Sequence, residues 1–131
     1  MAEADSGVVD VVSHRTVVQT IDRLEAIAIA QGLKVFARID FSGDALAAGL
    51  PLRPMQMLLF GNPKAGTPLL AAEPRCGLDL PLKALAWEDV SGTVRLSFNA
   101  PEYLVTRHGL PGTLIGNIAG VRTLVEKAAE R

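Results

Sequence analysis

The sequence predicts an α+β fold: one domain with a β-α-β start, then a mainly antiparallel sheet packed against helices, and a C-terminal amphipathic helix. Three observations predict it. The chain has 131 residues, the size of one ordinary domain. Its early strand and helix patterns alternate, whereas two later strand patterns flank a short turn and so pair locally. Its last stretch carries an apolar residue every three or four positions.

Val8 to Ser13 is rich in β-branched residues and reads as a strand after a loose tail over residues 1–6. The domain proper therefore spans 7–131. Thr16 with Gln19 fits a capping box, and Val17, Ile21, Leu24 and Ala28 then fall on one helical face that Gly32 ends. From Leu33 to Asp40 the residues alternate, with Leu33, Val35, Ala37 and Ile39 facing one way. Lys34, Phe36, Arg38 and Asp40 face the other, where Arg38 and Asp40 are placed to pair.

Ser42 caps a short helix that stops before Pro51. Met55 to Phe60 is apolar almost throughout and predicts a central strand covered on both faces. Thr67-Pro68 supplies an N-cap and a first-turn proline for a helix to about Glu73. Asn62-Pro63 offers the same chemistry five residues earlier, but Gly66 weakens a helix begun there. Leu82 to Asp89 and Thr93 to Asn99 form a hairpin about Val90-Ser91-Gly92. Pro101 to His108 is a short helix ended by Gly109, and Leu114, Ile118, Val121, Val125 and Ala128 mark the final helix.

Composition excludes several classes. Acidic and basic residues nearly cancel, 14 against 13, so the basic footprint of a nucleic-acid binder is missing. Apolar residues make up 49% of the chain, yet no apolar run approaches the roughly 20 needed to cross a bilayer. The N-terminus has neither a basic nor a long apolar segment, so the expectation is a cytoplasmic protein without a secretory leader. Cys76 is the only cysteine, which rules out an intrachain disulfide and a thiolate metal cluster.

Several stretches together, FGNPKAGTPLL, GLDLPLKALAWED and LSFNAPEYLVTRHG, preceded by the first helix and KVFARID, resemble the domain-of-unknown-function 302 family of small bacterial and archaeal proteins. The resemblance covers most of residues 8–131. It implies a compact α+β domain that often self-associates, and it supplies no reaction. The family commonly has histidine after ARID, where this chain has Phe41, so no metal or acid–base role of that histidine carries over.

Candidate chemistry centres on Phe60 to Pro68. Gly61 and Gly66 have the separation of a phosphate loop, but Thr67 and Pro68 stand where its lysine and hydroxyl belong. What remains is either a rigid connector or a weak anion site made by loop amides, a helix N-terminus and Lys64. The expected ligand is a small anionic metabolite held by Asn62, Lys64, Gly66 and Thr67, with Lys83 and Trp87 on the facing strand. The alternative is a small enzyme using Glu88, Asp89, Tyr103 or His108 as acid–base groups.

Glu88 and Asp89 point to opposite faces, and no orienting carboxylate for His108 is visible nearby. His14 is likewise unpartnered. Without paired histidines no metal or cofactor is expected. Arg75 stands beside Cys76 in a Pro/Gly-rich turn and is placed to lower its pKa modestly. A third alternative is a purely structural homo-oligomerising module; a homodimer is expected in either non-catalytic case.

Overall fold

Thr16 and Gln19 close the capping box that their spacing predicts, each side chain taking the other's backbone N–H at 3.1 and 3.2 Å. They open helix α1 (Val17–Ala30), which joins strand β1 (Val8–Ser13) to strand β2 (Lys34–Asp40). The chain continues through α2 (Phe41–Ala47), β3 (Met55–Gly61), α3 (Pro63–Ala72), β4 (Leu82–Glu88), β5 (Val94–Asn99), α4 (Pro101–His108) and α5 (Val121–Ala129). Turns of 3-10 helix cover Pro74–Leu78 and Gly112–Asn117. This computed structural model describes residues 6–131, so the expected tail lies, but for Ser6, outside the described residues.

The sheet runs β1-β5-β4-β3-β2 with every neighbouring pair antiparallel. β1 and β2 therefore point the same way at opposite edges. Helix α1 carries the chain across one face of the sheet, and the remaining strands meander back to β1. On that face Ile21, Leu24 and Ala28 of α1 and Val121, Val125 and Ala128 of α5 pack on Leu58, Phe60, Ala84, Ala86, Leu96 and Phe98. The alanines of β4 let the helices approach closely. A smaller cluster of Leu69, Cys76, Leu104, Leu110 and Ile118 sits beside it, linked through Leu82 and Tyr103.

Four local expectations are corrected. The strict alternation of β2 breaks at a register shift between Val35 and Ala37, which turns Arg38 toward the helices. There it pairs with Asp22 and Glu25 of α1 at 2.7 and 3.1 Å instead of with Asp40. Asp40, not Ser42, caps α2, accepting from the Gly43 amide at 2.9 Å, while the Ser42 hydroxyl bonds the backbone of Met55. Helix α3 starts at Pro63 because the Asn62 side chain caps it, so Gly66, Thr67 and Pro68 lie inside the helix. The C-terminal helix is two pieces: Gly116 and Gly120 interrupt it, leaving Ile118 in the small cluster and Val121 in the large one.

The central strand is also not covered on both faces. Its Gln56, Leu58 and Phe60 are buried, whereas Met55, Met57 and Leu59 are only partly so. Cross-strand partners share a face. The registers therefore set Met57 beside Leu85 and Ile39, Met55 beside Trp87, and Leu59 beside Lys83 and Ala37, on the side away from α1 and α5. Antiparallel sheets can bury one face more deeply than the other, and here α1 and α5 pack on one side.

The start of α3 yields a test. In a helix interior Gly66→Ala stabilises by about 0.5–1 kcal/mol, and the added methyl meets no atom within 4 Å. Urea denaturation is expected to show that gain; a helix starting at Pro68 would show none.

Candidate functional site

The joint between β3 and α3 borders a cleft of about 300 Å³. The sequence builds it in three steps. β3 ends at Gly61, Asn62 caps the helix through the Lys64 amide at 3.0 Å, and Pro63 fixes the first turn. Phe36, Leu70, Leu80, Pro81, Leu82 and Ile118 give the cleft its apolar walls. Asn62, Thr67 and Asn117 add polar groups, and Gly66 leaves space beside them. The Asn117 side chain donates to the Ala65 carbonyl at 2.9 Å and holds the far wall to α3.

Of the expected anion-binding residues, Asn62, Gly66 and Thr67 line this cleft; Lys64, Lys83 and Trp87 do not. The amides are already engaged. Lys64 N–H goes to the Asn62 side chain, and the Ala65 and Gly66 amides go to the Asn62 carbonyl at 2.9 and 2.8 Å. The Thr67 hydroxyl donates to the Pro63 carbonyl at 2.6 Å. Lys64 is exposed. A helix beginning at Pro63 turns the apparent loop into its own first turn, which consumes the donors an anion would need.

Lys83 and Trp87 stand on the open face of the sheet. There the Trp87 indole donates to the Ser97 hydroxyl at 2.8 Å, and that hydroxyl donates to Asp10 at 2.5 Å. The three residues, from β4, β5 and β1, fix the indole on the sheet.

The four acid–base candidates are dispersed. Glu88 pairs with Arg53 at 3.5 Å. Asp89 closes the β4–β5 hairpin, accepting from the Ser91 hydroxyl and from the Ser91 and Thr93 amides, with Arg95 at 3.2 Å. Tyr103 lays its ring on Gly7, whose φ of +74° no side chain shares easily and where a Cβ would collide with the ring. His108 has a partner that its sequence neighbourhood conceals: Asp79, 29 residues earlier, at 2.6 Å, which also receives Arg107 at 2.9 Å.

His14 is exposed, with its amide bonded to the Ala129 carbonyl. Cys76 is buried, and burial raises its thiol pKa, with the charges of Glu73 and Asp79 adding; this reverses the expected lowering by Arg75, which binds Glu73. Among the described residues no group of three His, Cys, Asp or Glu side chains is placed to hold a metal ion.

Comparison with known proteins supplies the relations of the chain. The model of the family described as "Domain of unknown function DUF302" matches residues 9–130. The fluoride-specific ion channel FluC 1 of Brucella suis biovar 1 is 48% identical over 106 residues, 81% of this chain and 42% of that protein. FluC 2 of Brucella melitensis biotype 1 is also 48% identical, over 39% of its length. The chain thus spans about two-fifths of these curated relatives. A crystal structure of an uncharacterized conserved DUF302 protein from Bacillus stearothermophilus superposes with a TM-score of 0.76 over 94% of this chain and 95% of that one, at 22% identity. That likeness concerns the fold. No helix among the described residues is long and apolar enough to cross a membrane.

Asp89 gives the hairpin a pH signature. The Ser91 hydroxyl foremost, then the Thr93 and Ser91 amides and Arg95, lower its pKa from 3.8 to about 2. A depressed carboxylate adds stability above its unfolded pKa and loses it as pH falls through the folded one. The melting-temperature deficit of Asp89→Asn is therefore expected to be full near neutrality and to close between about pH 4 and about pH 2. A deficit unchanged across that window would show that the charge is not what holds the turn.

Proposed function

The chain belongs to the DUF302 family, and we propose that it works as a small-molecule binding module whose site is the cleft at the β3–α3 joint. The observation that carries this reading is the cleft itself: concave, mostly apolar, with Asn62, Thr67 and Asn117 in its wall. Such a surface suits a small, largely apolar ligand with one polar end. The anionic metabolite expected from the sequence fits less well, because the amides are engaged and Lys64 is not in the wall. Lys34, whose ammonium lies 5.0 Å over the ring of the wall residue Phe36, is the cation placed to meet a charged group protruding from the mouth. The dispersion of Glu88, Asp89, Tyr103 and His108 speaks for binding over catalysis.

A panel of small aromatic and branched aliphatic compounds, each with and without a carboxylate, tests the proposal by amide chemical-shift mapping. Shifts are expected at Gly61 to Leu70 and Leu80 to Leu82, and Gly66→Leu, which fills the cleft, is expected to abolish them while Lys64→Ala leaves them in place. A panel that moves none of these amides would remove the proposal. Loss of binding in Lys64→Ala would restore the anion reading.

The Brucella relatives favour a second reading, in which the domain is an accessory to a membrane channel for fluoride. The activity in their names belongs to proteins more than twice as long as the matched region. Titration of the isolated chain with sodium fluoride separates the two readings. Saturable shifts at the N-terminus of α3 would support a direct part in handling the ion, and an unmoved spectrum beside shifts from the apolar panel would support the first.

A further inference from the structure

Taking the β3–α3 cleft as the binding site proposed above, we infer that its ligand is a planar aromatic carboxylate. The ring lies over Gly61 between Phe36 and Pro81, and the carboxylate meets Lys34. Strand register sets up this arrangement. β2 and β3 run antiparallel with Lys34 opposite Gly61, and cross-strand partners share a face. The lysine side chain therefore stands on the side to which a side chain at Gly61 would point. The register shift between Val35 and Ala37 leaves Phe36 without a partner on β3, and its ring reaches the end of that strand.

Glycine at position 61 keeps the floor of the cleft open. A Cβ there would lie 3.8 Å from Phe36 Cε2 and 3.8 Å from Pro81 Cβ, in ordinary contact with both. Chain neighbours aside, only these two rings come within 4 Å of that position. The phenyl group of Phe36 and the pyrrolidine of Pro81 thus flank a gap over the strand end. A flat ring suits such a gap, because it touches both flanks and has few rotamers to freeze. At about 300 Å³ the cleft is at the small end of ligand sites, matched to one or two fused rings.

None of the described residues that line the cleft is charged. The Lys34 ammonium lies 5.0 Å from the centroid of the Phe36 ring, a cation–π contact that holds it at the wall. Among the described residues no carboxylate pairs with it. A carboxylate emerging beside Phe36 therefore gains a cation without displacing an ion pair, whereas an amine there is repelled.

Three probes on the intact chain test the ligand class by titration followed at the cleft amides: 2-naphthoate, 2-naphthamide and decahydro-2-naphthoate. 2-Naphthoate is expected to bind about fivefold more tightly than either of the others. Lys34→Met keeps the stem and removes the charge; it should weaken 2-naphthoate about fivefold and leave 2-naphthamide unchanged. The preference for the carboxylate should shrink as salt is raised. Gly61→Ala adds a methyl at ordinary contact distance and fills the gap, so both naphthyl compounds should weaken about tenfold. Equal binding of carboxylate and amide, or an unaffected Lys34→Met, would overturn the class. So would decahydro-2-naphthoate binding as tightly as the flat acid, or a Gly61→Ala chain that binds both naphthyl compounds as before. In each of these cases shifts at Gly61 to Leu70 would leave the binding module standing. Amides unmoved by all three probes would remove both.

Discussion

The structure depends on the packing of α1 across the sheet. Because β1 and β2 occupy opposite edges, this helix must lie over the strands between them, and its apolar stripe of Ile21, Leu24 and Ala28 is buried completely. Each large side chain so buried contributes roughly 1.5–3 kcal/mol, more than any exposed ion pair of the fold supplies. The meander that follows can close on β1 only while that crossing holds. Helix α5 then fills the space beside α1, and the alanines of β4 keep the layer thin.

Two consequences follow from spending the large helices on one side. The first is a second sheet face, on which Met55, Met57, Leu59, Leu85 and Trp87 stay only partly buried. The second is that α3, α4 and the 3-10 turns gather beside the large core around Leu69, Cys76 and Leu104. A cleft opens where that small layer meets the ends of β3 and β4. Its walls are apolar because they are the unfilled margin of the small cluster, with Leu80, Leu82 and Ile118 shared between the two.

Much of this was legible in the residues. The capping box, the hairpin around Asp89 to Gly92, the αL glycine that ends α4 and the antiparallel character all follow from local chemistry, and the family is carried by motifs that can be read in order. What misled was competition between neighbours of equal local merit. Asn62-Pro63 and Thr67-Pro68 are both good helix starts, and the chain takes the earlier one because its cap bond forms and the glycine inside costs only about 1 kcal/mol. The break in β2 was hidden because a bulge leaves no trace in an alternating pattern.

Long-range partners were out of reach for the same reason. Asp79 with His108, Arg38 with Asp22 and Glu25, and Ser97 with Asp10 are brought together by topology alone. The alternation of β4 puts Lys83 and Trp87 on a common face, but which face that is depends on where α1 lies. The central claim is that α1 and α5 cover one face of the sheet and leave Met57 and Leu85 on the other. Methyl-resolved accessibility to a soluble paramagnetic probe measures this directly for Met55, Met57, Leu59 and Leu85. The account predicts methyls that the probe reaches, while Leu58 and Leu96 stay protected. Protection of the methyls of Met55, Met57, Leu59 and Leu85 as well would contradict it.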